Sequence, residues 1–171
     1  MPSLYLKDLG QELAQSGEER FLKAHPEPVL VLLGLARALE GKSHSEATMM
    51  AGPTHEELQV TSLVGRVFPL CKTDRLAAGP ITVGRAGDVD VCIPEYSISK
   101  KHCAFVLAAG TLAVQDLGAT NGTIVDGEKL AKGGTKSLTG GEQLTLGRFA
   151  FRFDTPRSLL ERLQKRAALG L

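Results

Sequence analysis

Asp116-Leu117-Gly118-Ala119-Thr120-Asn121-Gly122-Thr123 lies between two short apolar runs, residues 112–114 and 123–125. An Asn-Gly pair between such runs is a hairpin signal, because both residues accept the left-handed backbone that a tight turn between twisted strands requires. Outward from it, short runs of the same kind recur at 63–70, 81–83, 91–93, 103–107, 143–146 and 149–153, separated by Gly and Asp clusters. Short strands at regular spacing, with no helical period between them, predict a mainly β chain with an antiparallel β-sandwich over residues 60–154.

The flanks read differently. Residues 1–41 carry apolar positions at helical spacing, Leu6, Leu9 and Leu13 and then Val31, Leu35, Ala38 and Leu39, and are expected to form a short N-terminal helical segment. Gly17, Pro26 and Pro28 divide it, and a third helix is expected to start near Pro28. Its apolar surface, 29–39, is too wide for a solvated helix, so it must pack within the chain or serve as a homo-oligomer contact. Residues 42–59 have the aperiodic Gly, Ser, Thr and Met mixture of a linker. Thr155-Pro156 reads as an N-cap followed by proline at the first helical position, opening a C-terminal amphipathic helix over 155–171 with Leu159, Leu160, Leu163 and Ala167 on its apolar face.

Composition limits the function. A 43% apolar share with 23% charged residues provides for a packed core. The net charge of +1 argues against nucleic acid or an anionic membrane as a partner held by bulk electrostatics, so any anion must be bound locally. The acidic residues Asp8, Glu12, Glu18 and Glu19 near the start leave no signal-peptide pattern, and the longest apolar stretch is too short to span a bilayer. Cys71, Cys92 and Cys103 show no metal-ligand spacing and read as small buried hydrophobes in a reducing cytoplasm. No nucleophile elbow, P-loop or metal-ligand cluster is present, so neither an enzyme nor a cofactor is expected, and Asp88 and Asp90 read as turn residues.

Three segments hold polar residues that a sandwich does not need for folding: Gly84-Arg85, Ser99-Lys100-Lys101-His102, and the 116–123 stretch. Each adjoins a strand, where loops present binding groups on a rigid scaffold. Arginine supplies a planar fork of donors for two phosphate oxygens, a hydroxyl adds a short donor, and backbone beside glycine can approach closely. Together they are the parts of a dianion clamp.

In order and spacing these segments resemble the forkhead-associated (FHA) domain, with its glycine-arginine pair, serine-x-x-histidine and asparagine-glycine pair near a threonine. The resemblance covers residues 65–154, and a bacterial source is expected. It implies a module that binds threonine-phosphorylated proteins as an adaptor or sensor in Ser/Thr kinase signalling, with a kinase or its substrates as partners. By that resemblance Arg85 and Ser99 contact the phosphate, Lys100 adds a donor, Thr120 helps form the phosphate end, and Asn121 holds the peptide backbone. Gly84, His102 and Gly122 support the site, His102 by bonding loop backbone rather than by catalysis. Lys100 stands where arginine or asparagine is frequent, and Ala119 replaces a common serine. Lys101 reads as a solvated charge, and Thr48 or Thr54 is a candidate phosphorylation site that could fold back onto the chain's own clamp.

Overall fold

The computed structural model describes residues 3–37 and 61–171. Two sheets face each other. The larger contains β1 (Leu4–Tyr5), β2 (Val29–Leu35), β3 (Arg66–Pro69), β8 (Thr123–Val125), β9 (Glu128–Lys129), β11 (Gln143–Leu146) and β12 (Phe149–Asp154), in the order β1-β3-β2-β12-β11-β8-β9. The smaller contains β4 (Ile81–Gly84), β5 (Val91–Cys92), β6 (Cys103–Ala108), β7 (Thr111–Asp116) and β10 (Thr135–Ser137), in the order β10-β7-β6-β4-β5. Pairing is antiparallel except between β4 and β5, which run parallel. Alternate residues point inward, as the period of two requires. Phe105 from one sheet stacks on Phe153 from the other at 6.1 Å between centroids, within a core that also holds Val83, Ile98, Val114, Leu144 and Leu146.

Two helices, α1 (Leu6–Ser16) and α2 (Glu18–Ala24), meet at Gly17, whose φ of +79° suits glycine. A further helix, α3 (Pro156–Ala168), starts as the sequence predicts. Thr155 Oγ1 accepts from Ser158 N at 3.1 Å, Ser158 Oγ accepts from Thr155 N at 2.9 Å, and Pro156 follows the cap. Leu159, Leu160 and Leu163 are buried against Leu6, Leu9 and Phe21, and the helices cover the outer face of the large sheet through Val29, Val31 and Val67. Ala167, expected on that apolar face, is exposed.

The expected third helix is instead strand β2, in the middle of the large sheet between β3 and β12. The N-terminal segment is therefore not wholly helical, and part of it belongs to the sandwich. Burial on both sides explains the misreading. Leu30 and Leu32 enter the sandwich core while Val29 and Val31 face the helices, so the strand has no polar face and its apolar run is continuous. A register irregularity opposite Ala150 and Phe151 then brings Leu35 back to the core side. Both faces of β2 are thus covered within the chain, which removes the reason for expecting a homo-oligomer contact over 29–35, while Ala38 and Leu39 of the expected helix lie outside the described residues. The expected linker, 42–59, and Thr48 and Thr54 lie outside the described residues.

The strands expected at 63–70 and 91–93 are shorter than the sequence reading, and β1, β9 and β10 have too little apolar pattern to be read from sequence. Cys103 is buried, as expected of all three cysteines, but Cys71 is half-buried and Cys92 is exposed. Cys92 lies on the two-residue edge strand β5, where one face meets solvent. No helix among the described residues is long and apolar enough to cross a membrane.

Candidate functional site

The end of β4, the segment entering β6 and the β7–β8 loop come together at one end of the sandwich. Backbone hydrogen bonds strap the first two: Arg85 N donates to Ser99 O at 3.0 Å, Ala86 N to Lys100 O at 3.2 Å, and His102 N to Val83 O at 2.9 Å. The strap is possible because residue 84 is glycine. A Cβ there would collide with Lys100 O and lie 2.7 Å from the Lys100 carbonyl carbon and 2.9 Å from Ser99 O. Gly122 works differently. Its φ is +76°, and its own Cβ position faces only the stem of Lys129, so backbone conformation rather than close backbone approach selects glycine there.

His102 joins all three segments. Its ring is fully buried; Nδ1 accepts from Ser99 N at 3.1 Å, and Nε2 donates to Gly122 O at 2.9 Å. This pair of bonds fixes the neutral tautomer with the proton on Nε2. Burial lowers its pKa below the ordinary histidine value, although the Gly122 carbonyl and the Asp116 charge oppose that shift. The folded chain resists a proton that the unfolded chain accepts near pH 6.5, so this contribution is complete above that pH and declines as pH falls below it. Between pH 7.5 and 5.5, melting curves of the wild type should fall relative to those of His102→Gln, by at most about 1.4 kcal/mol per pH unit below 6.5. Parallel curves would show that His102 does not titrate in this way.

Arg85, Lys100, Thr120 and Asn121 are exposed at this end, and Ser99 is half-buried. Arg85 Nε donates to Ile98 O at 3.0 Å, which orients the guanidinium while its two outer nitrogens have no partner among the described residues. Ser99 Oγ accepts from Thr120 N at 2.9 Å, so its own hydroxyl proton stays available to an anion. Asn121 Nδ2 donates to Ser97 O at 2.8 Å, leaving its carbonyl oxygen and second N–H for a ligand. The Lys100 ammonium has no acidic partner among the described residues, whereas Lys101 Nζ lies 3.7 Å from Asp88 in an exposed pair. Arg85, Ser99, Thr120 and Asn121 are thereby linked through three loops, and Lys100 adjoins them in the chain.

The framework beneath includes residues that sequence reasoning missed. Ser97 accepts Asn121 through its carbonyl and Arg148 N through Oγ at 3.0 Å, while its own N and Oγ both donate to the Glu95 carboxylate. Arg148 Nε donates to the same carboxylate at 2.9 Å and stacks over Tyr96. Buried Asp116 accepts from Thr123 Oγ1 at 2.7 Å and from Gly118 N at 2.9 Å, closing the base of the β7–β8 loop. That i to i+2 contact was foreshadowed by Asp-x-Gly. Asp90 is more than a turn residue. Burial works against its ionised form, but donors from Thr82, Thr73 and Lys72 outweigh that and hold its carboxyl well below the usual range. It ties the β3–β4 connection to the base of β4.

Part of the chain is similar to known proteins. Residues 81–147 match the family model of the FHA domain. The chain is 35% identical over 77 residues to the probable serine/threonine-protein kinase fhkA of Dictyostelium discoideum, covering 40% of this chain and 13% of that protein. It is 32% identical over 78 residues to the glycogen accumulation regulator GarA of Mycolicibacterium smegmatis, covering 45% of this chain and 48% of GarA. The chain thus spans less than half the length of either relative. The solution structure of the FHA domain of an Arabidopsis thaliana hypothetical protein shares the fold, with a TM-score of 0.51 at 20% identity over 75% of this chain and 85% of that one. Residues 81–147, the part of the β-sandwich that runs from β4 to β11, thus match the FHA domain.

Proposed function

We propose that the chain binds threonine-phosphorylated segments of other proteins, acting as an adaptor or sensor in Ser/Thr kinase signalling. One observation carries this reading: the Arg85 guanidinium is anchored through Nε on Ile98 O, with its outer donors unpaired among the described residues, beside a Ser99 hydroxyl that retains its proton. A phosphate carrying about two negative charges matches that donor set, and charge-assisted bonds of this kind are the strong ones. FHA domains are among the modules that read phosphorylated motifs with arginine. The preference for threonine over serine rests on the family resemblance.

Binding rather than catalysis fits the Ser99 and His102 pair. The ring bonds the Ser99 backbone and the Gly122 carbonyl, so neither nitrogen is directed at Ser99 Oγ as a general base would be. The unpaired state of Cys71, Cys92 and Cys103 supports a reducing cytoplasm as the compartment. Titration calorimetry with a degenerate phosphothreonine peptide library and its unphosphorylated counterpart tests the proposal. Heat is expected only from the phosphorylated pool; silence from both pools, or equal binding, overturns it.

A further inference from the structure

The β7–β8 loop is flanked by two lysines that the phosphate clamp does not use. Gly118 has φ +79° and Gly122 φ +76°, and each leaves open a position that a lysine stem occupies. A Cβ on Gly118 would lie 2.9 Å from Lys132 Cε, and one on Gly122 would lie 2.5 Å from Lys129 Cε and 3.3 Å from Lys129 Nζ. The backbone holds both lysines in place. Leu130 N donates to Thr123 O at 2.9 Å, Gly133 N donates to Asp116 O at 2.9 Å, and Lys129 pairs with Ile124 across the β8–β9 ladder.

Nearby acids do not neutralise them. Glu128 pairs with Lys136 at 3.0 Å, Asp126 accepts from Gln143 N, and Asp116 lies buried beneath the loop with Thr123 and Gly118 N as donors. Lys129 and Lys132 have no ion-pair partner among the described residues. With Arg85 and Lys100 they make four cations around one loop cluster that have no ion-pair partner among the described residues, whereas a phosphothreonine brings about two negative charges. Stems lying across glycine also leave these lysines less rotamer freedom to lose on binding than free surface lysines have.

We infer that Lys129 and Lys132 form a second lip of the site that selects phosphothreonine segments carrying an acidic side chain next to the phosphorylated residue. The inference rests on the phosphothreonine reading above and adds a specificity determinant to it. An exposed lysine–carboxylate contact is weak and salt-sensitive, so the expected gain is about two- to fivefold in affinity.

The test uses the full chain and phosphothreonine peptides on an alanine-glycine background, with one glutamate placed in turn at each flanking position. Glutamate at one or more positions should tighten wild-type binding by that factor at low salt. The ratio of glutamate to alanine affinity should fall to about one in Lys129→Ala/Lys132→Ala and return in Lys129→Arg/Lys132→Arg. A flat glutamate scan in the wild type, or a glutamate gain that survives the double alanine variant, overturns the lip while leaving phosphothreonine binding intact. Failure of every phosphopeptide to bind overturns the phosphothreonine reading, and the lip with it.

Discussion

Arg85→Ala is expected to weaken binding of a phosphothreonine peptide by about ten- to a hundredfold, because a hydrogen bond to a charged group contributes about 1.5–3 kcal/mol. Stability should change little. Arg85 is exposed, and its one side-chain bond among the described residues, from Nε to the part-buried Ile98 O, is a single hydrogen bond, so the melting transition should move by no more than about 1 kcal/mol equivalent. Arg85→Lys separates charge from geometry. It keeps the cation but loses both the fork and the Nε anchor, so most of the affinity should still be lost. Calorimetry on the three proteins with one peptide, beside thermal melts, checks the pair of expectations. An Arg85→Ala protein that binds within about twofold of wild type would remove Arg85 from the site.

The same residues show what could be read from sequence. Arg85, Ser99 and Asn121 were legible as candidates because their segments, in order and spacing beside strands, resemble the FHA pattern. The sandwich was legible because short apolar or alternating runs recur at regular spacing between turn signals. β2 was not legible, and the reason is physical: a strand covered by a second sheet on one side and by helices on the other loses the alternation that distinguishes it from a buried helix. Ser97, Glu95 and Arg148 escaped for a related reason. Their contacts join residues about fifty positions apart, and nothing in local spacing records that the β11–β12 turn packs on the segment leading to Ser99. The packing of that turn also depends on Gly147, where a Cβ would lie 2.5 Å from Ser97 O.

Gly84→Ala should damage both stability and binding, whereas Gly122→Ala should cost less. From sequence alone the two glycines are equivalent, both as residues that support the site. At Gly84 the added methyl would meet backbone atoms of Ser99 and Lys100, and four hydrogen bonds hold those atoms and their neighbours: Arg85 N to Ser99 O, Ala86 N to Lys100 O, His102 N to Val83 O and Ile93 N to Gly84 O. Flexible side chains can move aside, but a strapped backbone cannot do so without breaking its bonds. Overpacking of this kind costs about 1–3 kcal/mol, and more where nothing can relax. At Gly122 the neighbour is the lysine stem, which can swing away, leaving mainly the cost of a left-handed residue, about 1 kcal/mol. Because the strap sets the distance between Arg85 and Ser99, Gly84→Ala should also reduce phosphopeptide affinity by about tenfold or more, even in the folded fraction. Denaturant unfolding of both variants, with calorimetry at a temperature where each remains folded, tests the ranking. If Gly122→Ala proves the more damaging, then backbone conformation in the β7–β8 loop, and not the close approach at the end of β4, controls the geometry of the clamp.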